Sequence, residues 1–139
     1  MTRPRRFAEN TQVPVDRSRM EIERYLQQQG ATAFGTAFDA TRALIQFEVK
    51  GWRVAMSVPL VTQVRGRDTP VDDKERRRRW RALLATVKAK FIAVESGLVA
   101  FEQEFLPYLV KSDGETVYEA LRPQLGAVVS CGERLLPGS

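Results

Sequence analysis

The residues best equipped for chemistry lie in the stretch DDKERRRRWRALLATVKAKF, Asp72 to Phe91. There Arg76, Arg77, Arg78 and Arg79 run consecutively and Arg81 follows Trp80. A guanidinium is planar, permanently charged and carries its donors in a fork that matches phosphate or carboxylate. Its chemistry is anion recognition rather than proton transfer. At a helix start such charges oppose the helix dipole, by roughly a few tenths of a kcal/mol each, and they repel one another. Asp72, Asp73 and Glu75 offset only part of this. Successive helical residues are spread around the axis, so four in a row span more than a full turn. Two or three can face one partner, and the others must be solvated or paired with the nearby acids. An extended phosphate backbone suits this arrangement, since it is anionic and tolerant of geometry, and a helix start also offers free backbone donors.

Other chemistries are limited by what the chain lacks. It has no histidine and one cysteine, Cys131. Ser-His-Asp and Cys-His catalysis therefore drop out, and so do a Cys/His zinc site and an internal disulfide. Neither a metal nor a cofactor is expected, and Cys131 reads as a small buried residue or as one without a role. Carboxylates, lysine and tyrosine remain. One constellation of these resembles the PD-(D/E)xK nucleases: Asp39 closes one alternating segment, and Glu48 with Lys50 closes the next. The resemblance implies magnesium held by the carboxylates and water attack supported by Lys50, with Glu21 or Glu23 as a further carboxylate. However, no proline precedes Asp39, and the same residues suit an exposed hairpin, so a non-catalytic protein is the leading expectation.

At 139 residues, 43% hydrophobic and 28% charged, the chain fits one α+β domain with a real core. The expected domain covers 13–134, preceded by a basic arm over 1–12 and followed by a frayed tail over 135–139. No run approaches the roughly 18–20 apolar residues that span a bilayer, and MTRPRRFAEN lacks the apolar centre of a signal peptide. The expectation is a cytoplasmic protein with no membrane partner. Charge is unevenly spread. Residues 1–90 carry 19 basic and 10 acidic side chains, a balance of +9, whereas 91–139 carry 3 and 7, a balance of −4, giving the net +5. Arginine supplies 17 of the 22 basic groups, which favours forked recognition over point-charge attraction.

These side chains must be positioned by a short series of elements. A first helix is expected from Asp16 or Ser18 to Gln29, with Ser18 and Glu21 at capping-box spacing, an apolar patch of Met20, Ile22, Tyr25 and Leu26, and Gly30 as its stop. Three segments of period two follow. Phe34, Thr36 and Phe38 share one side of the first. Ala43, Ile45, Phe47 and Val49 share one side of the second, and Val54, Met56, Val58 and Leu60 one side of the third. With turn chemistry at DATR and KG they predict an antiparallel three-stranded meander, Pro59 marking an edge or strand end. A polar loop over 61–71 carries Arg65 and Arg67.

The next helix is expected to open at Asp72 or Asp73, with Asp72 and Glu75 at capping-box spacing, and to run to about Leu106, about 50 Å at 1.5 Å per residue. Trp80, Leu84, Val87, Phe91, Val94, Leu98, Phe101 and Phe105 recur at alternating spacings of four and three, an a/d seam. Three strands of about eight residues cover only about 25–30 Å of such a rod. The remainder of the seam, Leu84 to Phe105, must therefore meet the C-terminal segment or a second copy. Arg81 and Lys88 at one flanking position and Glu95 and Glu102 at its later repeats favour an antiparallel homodimer. A turn at Asp113 and Gly114, a short helix from Thr116 to Leu121 and a weaker segment packing back complete the chain.

Helix, three strands, helix is also the order of double-stranded RNA binding modules, although their second helix is short and their lysine-rich contact loops are missing here. Single-strand annealing proteins likewise join a three-stranded sheet to a long helix. A wider resemblance rests on RFAENTQVPVDRSRMEIERYLQQQGATAF, RRRWRALLATVKAKFIAVESGLVAFEQEFLPYLV and DGETVYEAL. In order and over most of the chain, these segments resemble a family of small uncharacterised bacteriophage and prophage proteins. That resemblance implies a phage setting and lends no activity, cofactor or site residue. The expected function is sequence-nonspecific binding of nucleic acid, DNA favoured, by Arg76, Arg77, Arg78, Arg79 and Arg81 with help from Arg3, Arg5, Arg6, Arg65 and Arg67. Trp80 would stack on a base only if exposed. The alternative is an inhibitor or regulator that grips an acidic surface of a host protein with the same arginines.

Overall fold

The computed structural model describes residues 17–129. The basic arm with Arg3, Arg5 and Arg6, the alternative helix start at Asp16, Cys131 and the tail over 135–139 all lie outside the described residues.

Alternation in the sequence becomes a sheet whose central strand buries every second side chain. Strands β1 (Ala33–Phe38), β2 (Arg42–Val49) and β3 (Trp52–Pro59) form an antiparallel meander in the order β1-β2-β3. Ile45 stands between Thr36 and Met56, and Phe47 between Phe34 and Val54, which fixes the register. Ala43, Ile45, Phe47 and Val49 of β2 are buried, as are Val54, Met56 and Val58 of β3. Lys50 and Gly51 both have positive φ, 54° and 81°, the two-residue turn whose twist matches that of the flanking strands.

Helix α1 covers residues 17–28. Its buried stripe is Ser18, Ile22 and Leu26, one residue per turn. Ser18 thus lies inside the helix on its core face and is not the expected N-cap, and Met20 is exposed. At the other end Gly30 takes φ +92° and Ala31 N–H donates to Leu26 C=O at 2.9 Å, closing the helix where expected.

The stretch over 61–71 is not a loop. It forms a second hairpin, β4 (Val61–Val64) and β5 (Arg67–Pro70). Arg65 and Gly66, with φ of 52° and 79°, repeat the turn geometry of Lys50 and Gly51. The signal was an Xaa-Gly pair flanked by Val and Thr, hidden by the polarity of its neighbours.

Helix α2 (Asp73–Glu95) has 23 residues, about 35 Å at 1.5 Å per residue, and not the expected 50 Å. It ends in a Schellman motif at Gly97, whose φ is +84°. Leu98 N–H reaches back to Ala93 C=O and Gly97 N–H to Val94 C=O, satisfying carbonyls that a helix end leaves open. The chain then turns into α3 (Phe101–Glu104) and a 3-10 turn over Leu106–Tyr108. This break folds the far half of the seam back onto the near half. Phe101 stacks on Phe105 at 4.5 Å, and Phe105 lies 5.2 Å from Phe91 and 6.0 Å from Phe47. Such aromatic packing adds to simple area burial. Lys90 ties α2 to α3 through an ion pair with Glu104 at 3.1 Å and sits over the Tyr108 ring at 4.9 Å.

The expected seam is accordingly not one continuous stripe. Val87, Phe91, Phe101 and Phe105 are buried in the chain's own core, Leu84 and Val94 are partly buried, and Leu98 is 79% exposed. On α2 the core-facing residues are Trp80, Leu83, Val87 and Phe91, so Leu83 takes the place expected for Leu84. The rod shortened, and the part that sequence periodicity left uncovered is covered from within. Lys88, expected opposite a partner's Glu95, lies over the Tyr25 ring of α1 instead.

Beyond α3, a turn at Asp113 and Gly114 leads to α4 (Val117–Leu121). Thr116 caps α4 and forms a full capping box with Glu119. A second 3-10 turn and α5 (Leu125–Val128) follow. Among the described residues no helix is long and apolar enough to cross a membrane.

Candidate nucleic-acid interface

Local sequence decides which arginines are free. Asp72 is the N-cap of α2, its carboxylate accepting from Glu75 N–H at 2.8 Å. The Glu75 side chain does not return to the cap as a capping box would have it. It receives Arg78 in a two-pronged contact at 2.9 and 2.7 Å and Arg79 Nε at 2.8 Å. Asp73 holds Arg76 at 3.0 Å. Arg79 also donates to the carbonyls of Pro59 and Val61, tying the helix start to the junction of β3 and β4. Three of the five clustered arginines are thus engaged by their own chain, one of them structurally.

Arg77 and Arg81 are not among these pairs. One turn apart on α2, they face α1 and, with Leu84, Ala85 and Lys88, form one wall of an open groove of about 580 Å³. Arg17, Ser18 and Glu21 of α1 form the other. Four cations against one carboxylate give this groove a positive field, and no acid stands one turn before Arg81, where Arg77 itself sits. Arg17 and Lys88 were missed as members of this surface. No local pattern marks them, because only the packing of α1 against α2 brings them to Arg77 and Arg81.

The other expected members are placed elsewhere. Arg65 occupies the turn of the β4–β5 hairpin and Arg67 opens β5, and neither lines the groove. Trp80 is 2% exposed, so it is a core residue and is not available for stacking on a base.

The nuclease-like residues do not converge. Glu48 pairs with Ala33 at one end of β1, whereas Asp39 follows Phe38 at the other, about 20 Å away at 3.3 Å per residue. Asp39 is moreover committed to its own turn. It accepts from Thr41 N–H at 2.8 Å, Thr41 Oγ1 at 3.0 Å and Arg42 N–H at 3.1 Å, bonds that hold its carboxyl below the usual range. Lys50 lies in the turn beside Glu48, without the second carboxylate that a shared magnesium needs. Among the described residues no group of three or more acids, cysteines or histidines is placed to hold a metal.

Glu75 gives the site a measurable electrostatic signature. The hydrogen bonds from Arg78 and then Arg79 hold its carboxyl down to about 2, from an ordinary 4.5. A depressed folded-state value means stability that is present above the unfolded value and lost as pH falls through the folded one. Thermal stability should therefore decline as pH falls from 4.5 toward 2. In Glu75→Gln the part of this decline due to Glu75 should vanish, leaving the parts due to Asp39 and Asp113, whose carboxyls are also held low. Melting temperatures measured across that window check this, and an unchanged slope in the variant would reject it.

Fold and site together define a small α+β protein with a three-stranded meander, two helices on its core face and a basic groove between them. No family model, curated protein or solved structure matches the chain.

Proposed function

We propose that this protein binds nucleic acid without sequence preference, DNA favoured, through the groove between α1 and α2. The supporting observation is that Arg77 and Arg81 lie on one open face with Arg17 and Lys88, while Arg76, Arg78 and Arg79 are held by Asp73 and Glu75. This separates binding arginines from structural ones. Arg78 stays 66% exposed despite its partner and flanks the site.

Phosphates are the natural ligand of such a groove. It offers fixed and mobile cations without an aromatic platform or a polar pattern that could read base edges. Duplex DNA presents the densest regular line of phosphates, one charge per about 1.7 Å of axis. The protein acts by binding, without catalysis, in the cytoplasm of a phage-infected host, where replication, recombination or packaging supplies the polymer. The separation of Asp39 from Glu48 favours a non-catalytic role over cleavage.

Titrating a fluorescent duplex, a single strand and an RNA of equal length over a series of salt concentrations tests the proposal. Affinity should fall steeply as salt rises for all three, irrespective of sequence, and most for the duplex. Affinity indifferent to salt, or no binding at low salt, would reject it. An acidic protein surface as the true partner would show as capture from lysate that persists after nuclease treatment.

A further inference from the structure

The two edges of the three-stranded sheet are treated differently. On β3 the outer edge is protected. Leu109 bridges to Val54, Val110 N–H donates to Arg53 C=O at 2.9 Å, Pro59 has no N–H to offer, and the Arg79 guanidinium sits on the Pro59 carbonyl. These are the devices by which natural sheets discourage edge pairing. On β1, AFGTAF, there is none of them. The strand has no charge, no proline and no covering strand among the described residues.

The orientation of the free groups follows from the register. Asp39 N–H donates to Arg42 C=O, and β1 continues from that pair with Ala37 opposite Leu44, Gly35 opposite Gln46 and Ala33 opposite Glu48. Antiparallel pairs alternate, so Phe34, Thr36 and Phe38 point their N–H and C=O groups away from β2. Their side chains share the core face of the sheet, yet Phe38 is 63% exposed at its rim. Thr36 Oγ1 is sealed from solvent and has no hydrogen-bond partner, a state buried hydroxyls normally avoid.

We infer that β1 pairs with β1 of a second copy of this chain, antiparallel about a two-fold axis through Thr36. That register places Thr36 opposite Thr36 of the partner subunit and Phe34 opposite Phe38 of the partner subunit. Each pair exchanges both of its N–H···O bonds. Such an isologous contact is closed, so it yields a dimer rather than a fibre. The exposed Phe38 ring gains an aromatic cross-strand neighbour, and after a χ1 rotation the orphaned Thr36 hydroxyl faces its own copy, two pairings that stabilise sheets. Strand edges without charge meet without repulsion, and the Asp39 carboxylate at the strand end is drawn into its own turn. This interface is independent of the nucleic-acid groove and differs from a helix-seam dimer, for which the chain leaves mainly Leu98 exposed.

Sedimentation velocity of the full chain, read with three variants, tests it. Wild type should sediment as a dimer with rising concentration. Phe38→Pro removes only an outward N–H and an exposed ring, so it should halve the sedimenting mass while circular dichroism and melting temperature stay near wild type. Leu98→Asp should remain dimeric. Thr36→Cys in a Cys131→Ser background should form a covalent dimer on mild oxidation, because Cα atoms about 5.5 Å apart in a hydrogen-bonded pair suit a disulfide. A monomer at every concentration, a dimer that survives Phe38→Pro, or a dimer lost in Leu98→Asp would each overturn the inference.

Discussion

Replacing Phe105 by alanine should destabilise the protein by about 3–5 kcal/mol, the largest effect expected of any single core substitution. Phe105 is fully buried and touches the ring clusters of three elements, Phe47 on the sheet, Phe91 on α2 and Phe101 on α3. Lys90 also lies over its face at 5.7 Å. Removing the ring leaves a void that stiff neighbours cannot close and unpins α3 from α2 together. Against a typical total of about 5–15 kcal/mol, this amounts to a melting temperature lower by about 10–20 °C for a chain of this size. The same substitution at Leu98, 79% exposed, should change stability by less than about 0.5 kcal/mol. Equal losses at both positions would mean that the seam is buried against another surface as one stripe, contrary to the folded-back arrangement.

The second large effect concerns binding. In Arg77→Gln/Arg81→Gln, nucleic-acid affinity should fall by about 10–50-fold at low salt, because two phosphate contacts and their released counterions are lost. Neither side chain holds a carboxylate of its own chain, so the melting temperature should stay near that of wild type. Glu75→Gln should act in the opposite sense. It removes one negative charge and releases Arg78 and Arg79 from their shared partner, so affinity should rise. Opposite signs from substitutions within two turns of one helix would be hard to obtain from misfolding, which lowers affinity in every case.

The meander was legible because two independent signals agreed, alternation of apolar residues and Lys-Gly turn chemistry. The end of α2 was not. Apolar spacing continues without a break across Ser96 and Gly97, and periodicity outweighed a glycine that proved to be the C′ residue of a Schellman motif. Phe101 and Phe105 fit the heptad by coincidence of spacing, while the chain between them and Phe91 reverses. The hairpin over 61–70 was obscured in a similar way, its Arg-Gly turn read as loop because the flanking strands are short and exposed.

The site divides along the same physical line. An arginine cluster was evident, but its partition was only partly readable. Glu75 stands three or four positions before Arg78 and Arg79, the spacing at which helical side chains meet, and Arg81 has no acid at either distance. Asp73, however, stands three before Arg76 and four before Arg77, and only the folded chain shows that it takes Arg76. Arg17 and Lys88 were beyond reach of any local pattern, since only tertiary packing brings α1 beside α2.

The most direct test compares the slope of log affinity against log salt concentration for wild type, Arg77→Gln/Arg81→Gln and Arg76→Gln on the same duplex. The groove account predicts a slope shallower by about 2 in the double variant, one per lost phosphate contact, and little change in Arg76→Gln, where Asp73 already occupies the guanidinium. A double variant that keeps the wild-type slope would contradict it.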